Sequence, residues 1–239
     1  DVVGDPLDVI ASGPTSPDPT TFEEALAVLQ RYGLKERTPA AVLQHLERGR
    51  AGEIPETPKS VPGNVTNLVI GSNRVALNAS RRKAEQLGYR VLDLGAFVEG
   101  ETQQVATAVA GIVRSIRTNA APIAPPACLL IGGETTVTLG ENPGKGGRNQ
   151  EFVLAMLAKL GPAGMAGVTV LSGGTDGEDG PTDAAGAIAD ETTAAALAGS
   201  IPESLRRHDA YPLLERVGGL LKPGLTGTNV MDVRVVLVR

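Results

Sequence analysis

Residues 132–151 read GGETTVTLGENPGKGGRNQE and set Glu134, the hydroxyls of Thr135, Thr136 and Thr138, and the cations Lys145 and Arg148 among glycines. Glycines let backbone N–H groups approach a phosphate, the N-terminus of a following helix adds partial positive charge, and arginine supplies a two-pronged donor. Phosphate binding, with Gly146 and Gly147 beside Lys145 and Arg148, is the chemistry this set would do. The spacing is not that of a Walker A loop, because Gly140, Gly144 and Lys145 leave three residues between the glycines and a glycine follows the lysine. Nor is it a dinucleotide fingerprint: Gly144-x-Gly146-x-x-Asn149 lacks the third glycine. The alternative is a tight loop whose arginine caps a carbonyl or pairs with a surface acid.

Residues 172–187, SGGTDGEDGPTDAAGA, place Asp176, Glu178, Asp179 and Asp183 among glycines directly after the apolar run Val168–Leu171. Carboxylates on such a loop suit Mg²⁺, which takes one or two of them together with waters and substrate phosphates. A calcium loop fails, since Gly180 stands where the third ligand would fall. The other reading makes Asp176 and Asp179 turn formers that bond backbone two residues on. The run LTGTNVMD offers Thr226, Thr228 and Asn229 to a ligand, or else turns into a last strand.

Other chemistries lack their residues. The two histidines, His45 and His208, stand in polar settings that predict surface positions. No His/Cys spacing suits zinc, and Ser172 sits in Leu-Ser-Gly-Gly, not in a Gly-x-Ser-x-Gly elbow. The single cysteine, Cys128, lies in an apolar run and reads as a core residue.

Elements must position these loops. The 239 residues are 41% hydrophobic and 21% charged with net charge −5, a globular composition without the basic cluster that nucleic acid or an anionic membrane would want. No apolar run approaches ~18 residues and no leader opens the chain, so we expect a cytosolic protein. Thr20 and Thr21, each three residues ahead of a glutamate, predict capping boxes for a helix that runs to Tyr32 and stops at Gly33. Thr38 to Leu46 predicts a second helix, and the Pro/Gly-rich stretch from Gly49 to Asn64 a linker. Thereafter the chain alternates: strand 67–70, helix 73–87, strand 89–94, helix 102–117, strand 127–131, helix 149–160, strand 168–171, a short helix in DETTAAALAG, and a terminal strand in MDVRVVLV. Short strands or extended pieces are the most that Val2-Val3 and Val9-Ile10 allow among prolines. The expected fold is α/β with a mixed, largely parallel sheet. If the strands run parallel, the loops after 131, after 171 and before 232 converge where α/β sheets bind ligands.

GGETTVTL, GKGGRNQEFVLA, SGGTDGEDGPTDAAGA and TGTNVMDV together resemble the C-terminal half of the class II glycerate kinases, whose last part is called the MOFRL domain. The opening DVVGDPLDVIASGPTSPDPTTFEEAL is similar to the end of that family's N-terminal Rossmann-like domain. The resemblance covers essentially the whole chain. It implies residues 1–63 as a remnant of the Rossmann-like domain plus linker, and 64–239 as the C-terminal α/β domain. It further implies ATP-dependent phosphorylation of D-glycerate, usually to 2-phosphoglycerate, with Mg²⁺ or another divalent cation, in a cleft between domains. Arg148 falls on the family's active-site arginine, with the task of neutralising the transferred phosphoryl group or the substrate carboxylate. Asp176 is the second catalytic candidate, and Asp176 and Asp179 are the metal candidates. Glu134 and Asn149 match positions near the cleft, Thr228 and Asn229 lie in a matching motif, and Ser12 and Gly13 face the cleft from the first domain. Small molecules are the implied partners, with a homodimer among the assemblies. An N-terminal half carrying an active-site lysine is expected upstream of Asp1, so an inactive fragment is one reading of this chain. One departure stands out: many relatives are expected to have NDSY where this chain has His208-Asp209-Ala210-Tyr211. Some relatives carry the label hydroxypyruvate reductase, so an NAD(P)H-dependent reductase and a non-catalytic binding module are the alternatives.

Overall fold

Thr21 starts the first helix, α1 (Phe22–Arg31), by a reciprocal exchange: its side chain accepts from Glu24 N, while its own N–H donates to Glu24 Oε2 at 2.8 Å. The overlapping box at Thr20 does not form, because Thr20 turns back on Asp18. Gly33 ends the segment in the left-handed region. The second helix, α2 (Ala40–Arg50), begins after Pro39 and runs past the expected end at Leu46. The stretch behind it folds back on its own neighbourhood: Glu56 accepts from Phe22 N, and Asp18 N donates to Pro58 O.

The computed structural model describes residues Asp1–Arg239. They form two units, Asp5–Val69 and Ile70–Arg239 together with Asp1–Gly4. The smaller unit contains α1 and α2 and no strand. Val9-Ile10 leads into a short 3-10 turn, Ile10–Ser12. The strand expected at 67–70 is also absent: Leu68 is 81% and Ile70 89% exposed, so this apolar run has no sheet face to cover.

The larger unit continues with α3 (Asn73–Gln86), β1 (Arg90–Asp93), α4 (Thr102–Asn119), β2 (Ala127–Gly133), α5 (Arg148–Met165), β3 (Val168–Gly174), β4 (Gly186–Ala189), α6 (Glu191–Leu197), α7 (Ile201–Arg206), α8 (Ala210–Glu215), β5 (Leu220–Leu221) and β6 (Asp232–Val238). The six strands form one sheet in the order β1-β2-β6-β3-β4-β5. Only β1 and β2 pair in parallel; every other pair is antiparallel. The expectation of a largely parallel sheet is therefore corrected. An all-apolar run such as β2 reports burial on both faces, and such burial says nothing about the direction of the neighbouring strand.

The sheet is covered on both sides. Ala127, Leu129 and Ile131 of β2 pack with Val109, Val113 and Ile116 of α4 and Phe152 and Met156 of α5. Cys128 and Leu130 point the other way, toward Leu77 and Ala84 of α3. This alternation gives a three-layer α/β/α unit. Cys128 is 1% exposed, as expected of a core residue, and burial pushes its thiol up to about 11.

Candidate active site

β6 is the strand that gathers the loops. It lies between β2 and β3, antiparallel to both, so β2 and β3 run in the same direction and their C-terminal ends reach the same edge of the sheet. Gly133 and Gly174 both pair with Asp232. The loops after β2 and β3 and the segment before β6 thus meet around Asp232. The convergence expected from a parallel sheet is produced here by an antiparallel strand.

Arg148 is the first residue of α5, and its fork is gripped by Asp232: Nε donates to Oδ2 at 2.8 Å and Nη2 to Oδ1 at 2.9 Å. Nη2 also stands 2.8 Å from Glu134 Oε1. Asp232 is fully buried and is held from behind by Arg234 Nη2 at 2.9 Å and by Asn149 Nδ2 at 2.8 Å. Arg234, likewise fully buried, donates to Thr135 Oγ1 and lies over the Phe152 ring, while its Nε and Nη1 have no partner. Burial opposes the charge of Arg148, but Asp232 and Glu134 outweigh it and hold the guanidinium protonated above its ordinary range. Burial lowers Arg234 from its ordinary value, and Asp232 opposes that.

Asp179 closes the start of α5. It accepts from the backbone N–H of Asn149 at 3.0 Å and of Gln150 at 2.9 Å, and from the Gln150 amide at 3.0 Å. It therefore satisfies the donors a helix leaves open at its N-terminus, and the anion expected there from a ligand is supplied by the chain itself. Gly147 is required at this point, because a Cβ would collide with Asp179. Burial pushes the Asp179 carboxyl up to about 6, against the pull of the two backbone N–H groups.

Arg148, Glu134, Gly146 and Gly147 line a cavity of about 400 Å³, whose other wall includes Val137, Leu139, Pro143 and Pro181. The amides of Gly146 and Gly147 make no hydrogen bond within the chain. The other candidates lie elsewhere. Asn149 is fully buried behind Arg148, where its Oδ1 accepts from Ser172 Oγ. Lys145 is exposed, and its ammonium rests 3.7 Å from the Tyr211 ring centroid instead of lining the cavity. Asp176 accepts from Glu178 N, two residues on, as a turn former does. Asn229 accepts from Met231 N and donates to Asp1, and Thr228 is exposed with its N–H on Thr226. Ser12 and Gly13 belong to the smaller unit, both with positive φ.

Around the metal candidates no group of three or more His, Cys, Asp or Glu side chains is assembled; both oxygens of Asp179 are already taken by N–H donors, while at Asp176 only Oδ1 is engaged, by Glu178 N. Sequence reasoning also missed Asp232, Arg234, Glu151 and His208. The first two left a signal: in MDVRVVLV they share the inward parity of Val236 and Val238, and charges on the buried face of a strand demand partners. His208 lines the cavity, contrary to the surface position expected for it, because the bend after α7 turns it inward.

Residues 127–232 match the MOFRL family, and residues 1–47 match a domain of unknown function, DUF4147. The chain is 42% identical to glycerate 2-kinase of Pyrococcus horikoshii, covering all of this chain and 54% of that protein. It is 37% identical to glycerate kinase of Macaca fascicularis, covering all of this chain and 70% of that protein. The crystal structure of glycerate kinase from Thermotoga maritima superposes with a TM-score of 0.86 at 38% identity, over all of this chain and 55% of that one. The chain thus spans about half the length of several curated relatives it matches. With these motifs seated around Arg148 and Asp232, the chain belongs to the glycerate kinase family that carries the MOFRL domain.

Proposed function

We propose that this chain supplies the phosphoryl-handling part of an ATP-dependent kinase that phosphorylates D-glycerate, giving 2-phosphoglycerate. The observation that carries the reading is Arg148, locked by Asp232 through two of its nitrogens while its side chain stays 25% exposed toward the cavity. Phosphoryl transfer needs positioning and charge stabilisation more than covalent chemistry, and a guanidinium that cannot swing away provides both. Gly146 and Gly147 let backbone N–H groups approach the phosphate oxygens. Asn149 and Asp179 act from behind, holding the first turn of α5. Glu134 is the internal counter-ion that a bound anion would have to outcompete at Arg148. Ser12, Gly13, Lys145, Thr228 and Asn229 stay in the proposal as contacts made once both substrates are bound, and Asp176 as the carboxylate that orients the reacting hydroxyl. A divalent cation would neutralise nucleotide phosphates, but the carboxylates described here build no resident site for it, and no step is assigned through it. No helix is long and apolar enough to cross a membrane. The proposal extends to a cytosolic setting, where ATP is abundant and Cys128 remains a thiol, and to a homodimer.

The test is an assay of the full-length enzyme with D-glycerate, ATP and Mg²⁺, following ADP release, beside hydroxypyruvate with reduced nicotinamide. ADP release that depends on glycerate supports the kinase. Cofactor oxidation without ADP release would hand the chain to the reductase reading, for which these residues carry no dinucleotide fingerprint.

A further inference from the structure

His208 sits in the bend between α7 and α8 with φ +51, a conformation that costs a non-glycine residue energy and persists only where its surroundings hold it. The bend is tied to the glycine loop at three points: Gly144 N donates to Arg207 O at 2.7 Å, Lys145 N to Asp209 Oδ1 at 2.8 Å, and Tyr211 N to Lys145 O at 2.9 Å. Bend and loop therefore form one wall of the cavity, and both His208 and Glu151 line it.

The imidazole is oriented from below. Its Nδ1 lies 2.9 Å from Glu151 Oε2, and the other oxygen of Glu151 accepts from Gln103 Nε2 at 2.8 Å. The Glu151 side chain is 3% exposed, and His208 is the one basic side chain paired with it. With Nδ1 committed to Glu151, Nε2 is left without a partner in the chain. The charged groups that line the cavity with the ring are Glu151 and Arg148 from α5 and Glu134 after β2, which is already paired with Arg148. Asp209 is turned to Lys145 N, the Lys145 ammonium lies on Tyr211, and Gln103 of α4 is neutral.

We propose that His208 is the carboxylate anchor of this cavity: Nε2 donates to the carboxylate of a short hydroxy acid while Arg148 takes its phosphoryl group. The proposal rests on the glycerate kinase reading for the reaction, but its chemistry is visible without it. The cavity offers two separate nitrogen groups, the Arg148 guanidinium and His208 Nε2, and a phosphorylated hydroxy acid carries two anionic groups. A phosphorylated polyol carries one. Glu151 and Gln103 are positioning residues, acting through the imidazole.

The test is calorimetric binding of 2-phosphoglycerate and of glycerol 2-phosphate, which differs in lacking the carboxylate, to the full-length enzyme and its His208→Asn variant. Asparagine tolerates the left-handed backbone at this position. Wild-type enzyme should prefer 2-phosphoglycerate by roughly 10-fold or more, the worth of one charge-assisted hydrogen bond. In His208→Asn that preference should collapse while the affinity for glycerol 2-phosphate holds, and KM for D-glycerate should rise by more than kcat falls. Glu151→Gln should weaken the preference in the same direction, with an unchanged circular dichroism spectrum. An unchanged preference in His208→Asn, an equal loss for both ligands, or no preference in the wild type would each overturn the anchor. Absence of glycerate-dependent ADP release from the wild type would overturn the kinase reading instead, and the ligand ratio would still decide the anchor.

Discussion

Arg148 is held by a carboxylate that is itself held by a second arginine, so its position depends on fully buried groups behind it. Replacing it by lysine keeps the charge and loses the fork that Asp232 grips. We expect Arg148→Lys to lower turnover of the full-length enzyme by ~10²-fold, since one transition-state charge contact is worth about 3 kcal/mol. Near-wild-type turnover would remove Arg148 from the catalytic role. Asp179 yields a prediction in pH. Its carboxyl ordinarily titrates at 3.8 and is pushed up to about 6 in the fold, so between those values the folded chain binds the proton more tightly than the unfolded chain does. The stability Asp179 contributes is full below about pH 4 and is lost as pH rises through about 6, a change of at most about 3 kcal/mol. Denaturation midpoints of Asp179→Asn, which has no proton to lose, should show a flatter dependence across that window. Parallel curves for variant and wild type would show that burial does not govern this group.

Among the elements, β6 and α5 carry the site. Asp232→Asn leaves Arg234 buried without its counter-ion, and breaking such a pair costs about 3–5 kcal/mol. A chemical denaturation series should show that loss, whereas a surface carboxylate such as Glu203 should show almost none. Gly147→Ala should push Asp179 off the first turn of α5 and lower stability by about 1–2 kcal/mol, the usual worth of a helix cap. Legibility follows locality here. The Thr21–Glu24 box involves residues three apart and is readable in the chain, as is the short helix α6, which Asp190 caps. The apolar run at 67–70 has the composition of a strand, but a strand exists only by pairing, and no strand lies beside it to pair with. β4 and β5 were illegible for the same reason: Gly186–Ala189 and Leu220–Leu221 carry weak patterns of their own and exist through their pairing. The largest error, strand direction, arose because two-sided burial leaves the same apolar signature in parallel and antiparallel strands.

At the scale of the whole molecule, the two units differ in what holds them. The larger one buries Leu129, Leu130, Ile131, Phe152, Leu154 and many others, whereas Phe22 is the one buried hydrophobic side chain in Asp5–Val69. We expect the amides of α1 and α2 to exchange hydrogen well before those of β2, β3 and β6, as segments with little buried apolar surface open at low free energy. Uniform protection across both units would contradict this. By itself the sequence determined most helices, the core strands, the phosphate-suited loop at Arg148 and, through its motifs, the family. These rest on periodicity, on capping between near neighbours and on contiguous residues. Only the tertiary structure decided that β6 reverses the sheet, that Asp232 and Arg234 lie behind Arg148, that Asp179 caps a helix and that His208 lines the cavity. Each of these depends on residues tens of positions apart meeting across buried hydrogen bonds, and no local pattern records that meeting.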